Sequence, residues 1–152
     1  MKTRREMLSS GAKLAALMAS VGLLPATAMA DWNKAAFDAK TLAEAVKGLG
    51  GGAPMASKDV TITGPDIAEN GAVVPVGAST TLAGVKQLAL MVEKNPNALA
   101  AVFNVTDAVE PSVSTRVKMG QSSNVFAVAI MNDGKVYYAQ KEIKVTLGGC
   151  GG

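Results

Sequence analysis

From residue 58 onward, apolar and polar positions alternate in short runs broken by turn residues. Val60 and Ile62 alternate with Thr61 and Thr63, and Gly64-Pro65 stops the run. Gly71 precedes Val73-Val74-Pro75-Val76. An apolar run from Val85 to Glu93 ends at Asn95-Pro96-Asn97, and Leu99 to Val105 follows. Val113, Thr115, Val117 and Met119 alternate with Ser114, Arg116 and Lys118, a period of two that predicts a half-buried strand. After the turn at Gly120-Gln121-Ser122-Ser123-Asn124, Val125 to Met131 is almost continuously apolar, as a central strand requires. Asp133-Gly134 is a hairpin signal, because both residue types tolerate positive φ. Val136 to Gln140, then Ile143, Val145 and Leu147, complete the series. About seven or eight strands at 8–12-residue spacing predict an all-β fold, an immunoglobulin-like antiparallel β-sandwich.

Residues 31–49 predict a short N-terminal helix laid against that sandwich. Thr41 and Glu44 have capping-box spacing, and Leu42, Ala45, Val46 and Leu49 fall on one helical face. Gly50-Gly51-Gly52-Ala53-Pro54 ends the helix. A phosphate-cradling loop needs a strand before it and a helix after it, and here the order is reversed.

Residues 1–30 read as an export signal. Lys2, Arg4 and Arg5 make a positive start, Leu14 to Leu24 is apolar, and Ala28-Met29-Ala30 is an A-x-A cleavage site that predicts Asp31 as the mature N-terminus. The apolar run falls short of the roughly 20 residues that a membrane span needs. Thr3-Arg4-Arg5-Glu6-Met7-Leu8 is similar to the twin-arginine consensus. That pathway exports folded cargo, so the expectation is periplasmic localisation for a chain that folds with a partner before export. Asn104-Val105-Thr106 fits a glycosylation sequon, which bacterial export leaves without meaning.

Composition narrows the chemistry. The 152 residues include no histidine and one cysteine. Ser-His-Asp and Cys-His catalysis, histidine metal sites and internal disulfides are thereby excluded. The formal charge of +3 belongs to the signal. Residues 1–30 hold four of the 15 basic residues and one of the 12 acidic ones, which leaves a mature chain with eleven of each. Nucleic-acid binding loses its electrostatic footing. No cofactor is expected.

The single thiol, Cys150, stands between Gly148-Gly149 and Gly151-Gly152 at the end of the chain. Glycine permits a wide range of φ and ψ, so residues 148–152 are expected to form a mobile tail, a swinging arm beyond the domain of residues 31–147. Extended, three residues carry Cys150 about 10 Å past Leu147. No base or cation stands near it in sequence to lower its pKa, and an unperturbed thiol titrates near about 8.5. Such a thiol suits covalent attachment and not catalysis. Prenylation needs the cysteine fourth from the end in a cytosolic protein. Sulfur carriers with a terminal Gly-Gly need adenylation with ATP. The alternative is a structural or interaction β-sandwich module whose terminal cysteine forms an intermolecular disulfide.

The twin-arginine signal, the Ala-Glu-Asn-Gly-Ala-Val-Val-Pro-Val segment at 68–76, the Thr115-Arg116-Val117 strand and the terminal Gly-Gly-Cys-Gly-Gly together resemble the SoxY family. Its members are sulfur-substrate carriers of bacterial thiosulfate oxidation. The resemblance implies a non-catalytic carrier without metal, with thiosulfate or sulfide attached at Cys150. It also implies a heterodimer with a SoxZ-like β-sandwich subunit. Transient contacts follow with the cytochrome pair SoxAX, the manganese-dependent hydrolase SoxB and, in some organisms, SoxCD.

Overall fold

A computed structural model describes residues 7–9, 13 and 33–147. Arg4 and Arg5, and the tail residues Gly148, Gly149, Cys150, Gly151 and Gly152, lie outside the described residues.

Two sheets face each other. The smaller has the order β2 (Val60–Thr63), β4 (Val74–Thr80), β7 (Ser112–Val117), with all pairings antiparallel. The larger runs β1 (Pro54–Ala56), β9 (Val136–Val145), β8 (Ser123–Met131), β5 (Val85–Val92), β6 (Leu99–Asn104). β3 (Ile67–Ala68) joins β9 as well. The predicted β-sandwich is therefore present, with one refinement. β1 and β3 run parallel to β9, while the other pairs in this sheet are antiparallel.

The larger sheet is buried on both faces. Leu88, Leu90 and Val92 of β5, with Val125, Ala127 and Ala129 of β8, pack against Val74, Val76 and Ala78 of the opposing sheet. Their neighbours Ala89 and Met91, with Phe126, Val128 and Ile130, point the other way and pack under the helices. Two-sided burial removes the need for polar alternation, which is why Val125 to Met131 reads as a continuous apolar run.

The helical cover differs from the expectation of one helix over 31–49. There are two, α1 (Lys34–Phe37) and α2 (Leu42–Gly48). Thr41 caps α2 from an extended conformation (φ −123°, ψ 157°), so no helix can run through it. The expected capping box is formed: the Glu44 amide donates to Thr41 Oγ1 at 3.2 Å, and the Thr41 amide donates to Glu44 Oε2 at 3.3 Å. Ala45 and Val46 are fully buried, and Leu42 and Leu49 half-buried, on the face that the spacing assigned.

Residues 136–147 also differ. Instead of two short strands, β9 is a single strand of ten residues. Its odd positions Tyr137, Ala139, Ile143 and Val145 face the inter-sheet core, while Gln140, Glu142 and Lys144 are exposed. The β8–β9 connection is a three-residue loop in which Gly134 alone has positive φ (83°). The Gly134 amide donates to the Met131 carbonyl at 3.0 Å, and the Met131 amide donates to the Lys135 carbonyl at 2.9 Å.

Candidate functional site

β9 delivers the chain to Leu147, three residues before Cys150, so the end of β9 is the root of the candidate arm. The β8–β9 ladder stops at the pair Ser123 and Ile143. Beyond it a side chain replaces the missing backbone partner. The Val145 amide donates to Ser122 Oγ at 2.8 Å, and the same hydroxyl lies 3.5 Å from the Val145 carbonyl oxygen.

The opposite edge is held by residues 66–71. The Lys144 amide donates to the Asp66 carbonyl at 2.9 Å, and the Thr146 amide donates to the Ala68 carbonyl at 3.1 Å. Thr146 Oγ1 donates to the Glu69 carbonyl at 3.1 Å. Gly71 makes the last link, its amide donating to the Leu147 carbonyl at 2.8 Å. The Gly71 carbonyl in turn accepts from the amide of Met119, a fully buried residue, at 2.7 Å. Asn70 shapes this corner, since its Oδ1 accepts from the Ala72 amide at 2.8 Å, an Asx turn. The root is thus tied to the core through its last described residue.

Charge around the root is mixed. Lys141 Nζ lies 2.9 Å from Asp66 Oδ1 and donates to the Gly64 carbonyl at 2.6 Å. The lysine's hydrogen bond and positive charge hold the Asp66 carboxyl below its usual range. Ile67, Val73 and Leu147 are exposed around it, at 58%, 53% and 67%. Among the described residues no group of three or more His, Cys, Asp or Glu could hold a metal ion. Three surface clefts lie elsewhere: beside Ser57 and Tyr138, beside Leu82 and Thr106, and beside Gly64 and Pro75.

The structure brings together the Ala68–Gly71 segment and the approach to the tail, 77 residues apart in the Thr146–Glu69 bond. Sequence reading missed Ser122, which sat within an expected turn, and missed the role of Thr146. The only sequence signal was the density of Gly, Asn and Ser at 70–71 and 120–124.

Comparisons agree with this geometry. The family model described as sulfur oxidation protein SoxY matches residues 46–150, a span that ends on Cys150. The sulfur carrier protein SoxY from Chlorobium limicola f thiosulfatophilum is 35% identical, with a TM-score of 0.56, over 62% of this chain and 84% of that one. Superoxide reductase (neelaredoxin) from Ignicoccus hospitalis shares the fold at 22% identity and a TM-score of 0.50, over 57% of this chain and 79% of that one. No curated protein matches the chain. With the family model covering well over half of its length, this chain belongs to the SoxY family.

Proposed function

We propose that the protein is a non-catalytic sulfur carrier that holds its substrate covalently on Cys150 and presents it to enzymes of thiosulfate oxidation. The observation that carries this reading is a sole thiol three residues beyond a firmly tied strand end, in a chain whose family match runs to that thiol. In the loading step, the Cys150 thiolate bonds to the sulfane sulfur of thiosulfate. One S–S bond forms, the thiol proton is lost, and two electrons pass to the cytochrome pair SoxAX. Water then attacks the outer sulfone in SoxB. Sulfate and two protons leave, and a persulfide remains on Cys150, which SoxCD oxidises where the host has it. The carrier supplies position only, and its enzymes supply the activation that an exposed thiol lacks.

A SoxZ-like sandwich subunit completes the carrier as a heterodimer, and the pair is exported folded to the periplasm by the twin-arginine signal at Arg4 and Arg5. Replacing both arginines with lysine keeps the charge and removes the guanidinium fork. The precursor is then expected to stay in the cytoplasm, and normal export would overturn the localisation. The decisive experiment for function is Cys150→Ser in a reconstituted thiosulfate-oxidation assay, with intact masses of the wild-type protein from its host. Loss of turnover and a thiosulfate-derived adduct on the wild type are expected. Wild-type turnover by the serine variant would end the carrier reading, and a disulfide-linked dimer as the only modified form would favour the structural module.

A further inference from the structure

Within residues 33–147, five large apolar side chains are exposed: Met55, Ile67, Val73, Val109 and Leu147. Scattered singles of this kind are ordinary on protein surfaces. Three of the five, however, converge on one place. Leu147 is the arm root itself. Ile67 stands opposite Lys144 in the β3–β9 pairing, three residues back along the strand, roughly 10 Å. Val73 lies two residues beyond Gly71, whose amide holds the Leu147 carbonyl. Neither Ile67 nor Val73 contributes to either core cluster, so burial within this domain does not account for them.

Chain length says what must cover this surface. Only three residues separate Leu147 from Cys150, and five separate it from the end of the sequence. Fully extended, they place Cys150 about 10 Å from the root. An enzyme that takes Cys150 into an internal active site must therefore bring the rim of its entrance against the surface around Leu147. We infer that Ile67, Val73 and Leu147 form an apolar docking patch for the entrance rims of the enzymes that act on the sulfur-loaded Cys150. This rests on the carrier reading above. The size of the patch favours these enzymes over the permanent sandwich subunit. Three aliphatic side chains suit an encounter that must release after each step, whereas lasting subunit interfaces bury far more surface. The mixed charge of Asp66, Glu69, Lys141 and Lys144 beside the patch would form its polar rim.

The test uses the mature heterodimer, loaded with thiosulfate, and the purified hydrolase that releases sulfate. Ile67→Ser, Val73→Ser and Leu147→Ser are made singly and together. All three side chains are exposed, so melting temperature and recovery with the sandwich subunit should be unchanged. Alkylation of unloaded Cys150 by iodoacetamide should also keep its wild-type rate, since that reagent needs no docking. The carrier concentration at half-maximal hydrolase rate should rise about tenfold in the triple variant, with kcat largely retained. An unchanged half-saturation would overturn the proposal. So would loss of the sandwich subunit on purification, which would assign the patch to that interface. If the triple variant does not fold, the single variants carry the same comparison. Cys150→Ser is run beside them: if it supports turnover, the carrier reading fails whatever the patch variants do.

Discussion

The Ser122 hydroxyl accepts the Val145 amide at 2.8 Å, at the point where the backbone ladder between β8 and β9 has run out. A side chain thereby extends the sheet by one rung on one edge, while Ala68 and Gly71 extend it on the other. Removing the hydroxyl leaves a half-buried amide short of an acceptor, which costs about 1–3 kcal/mol. Ser122→Ala should lower unfolding stability by about 1 kcal/mol, read from urea denaturation. It should also speed hydrogen exchange at Val145 more than at Ile143, which keeps its ladder partner. Equal exchange at the two amides would mean that the tie is not made in solution.

The close approach of α1 to α2 gives a second expectation. A Cβ on Gly48 would come within 2.8 Å of the Ala36 backbone, whereas Gly50 has open space around it and positive φ (82°). Gly48→Ala must push the helices apart, an overpacking cost of about 1–3 kcal/mol. It should also loosen Ala36 and Val46 from the outer face of the larger sheet. Gly50→Ala meets only backbone strain of roughly 1–2 kcal/mol, with no helix displacement. Urea midpoints for both variants, together with near-UV dichroism, separate a packing defect from a backbone one.

These helices also mark how far the sequence could be read. The Thr41–Glu44 box, the buried face of α2 and the alternation in β7 were legible because each is local, fixed by neighbours three or four residues away or by a period of two. β1 and β3 were not. Pro54-Met55-Ala56 and Ile67-Ala68 are too short to show a period, and they exist as strands only because β9 offers them an edge. The unity of β9 was hidden by Gln140, Lys141 and Glu142, which resemble a polar break when read in line. In the fold they alternate between an exposed face and the Lys141–Asp66 ion pair. The SoxY tail motif was legible as chemistry. Its anchorage was not, since Glu69 and Thr146 meet across 77 residues with no local signal.

The ion pair at the root gives a prediction in pH. The Asp66 carboxyl is depressed in the folded state by the hydrogen bond and charge of Lys141. A carboxyl with a lowered folded pKa adds stability above its unfolded pKa and loses it as pH falls through the folded value. Asp133, held by the Lys135 ammonium, and Glu44, held by the Lys40 backbone amide, act in the same direction. Stability should therefore decline on acidification below the ordinary carboxylate range. Carboxyl-carbon NMR should find Asp66 titrating below an ordinary aspartate. Lys141→Met should return Asp66 to the ordinary range and leave Asp133 where it was. If Asp66 does not move, the pair contributes no interaction in solution.

The final prediction separates the thiol from the glycines that flank it. Cys150 lies beyond the last residue tied to the core, so replacing it should not disturb the sandwich. Cys150→Ser should keep thermal stability within about 0.5 kcal/mol of wild type, the usual range for surface changes. Gly149→Val and Gly151→Val should be equally silent in melting curves. Each valine nevertheless adds a β-branched side chain that stiffens χ1 and restricts the backbone, and it broadens the segment beside the thiol. If Cys150 works by entering narrow enzyme entrances, both valine variants should load and release sulfur more slowly with every enzyme. Alkylation of the free thiol by a small reagent should change far less. Intact masses taken along the reaction would follow loading and release separately. Normal rates in both valine variants would leave Cys150 as the attachment point but would remove the need for bare glycine around it. The entrances would then have to be wide enough to admit a side chain on either side of the cysteine.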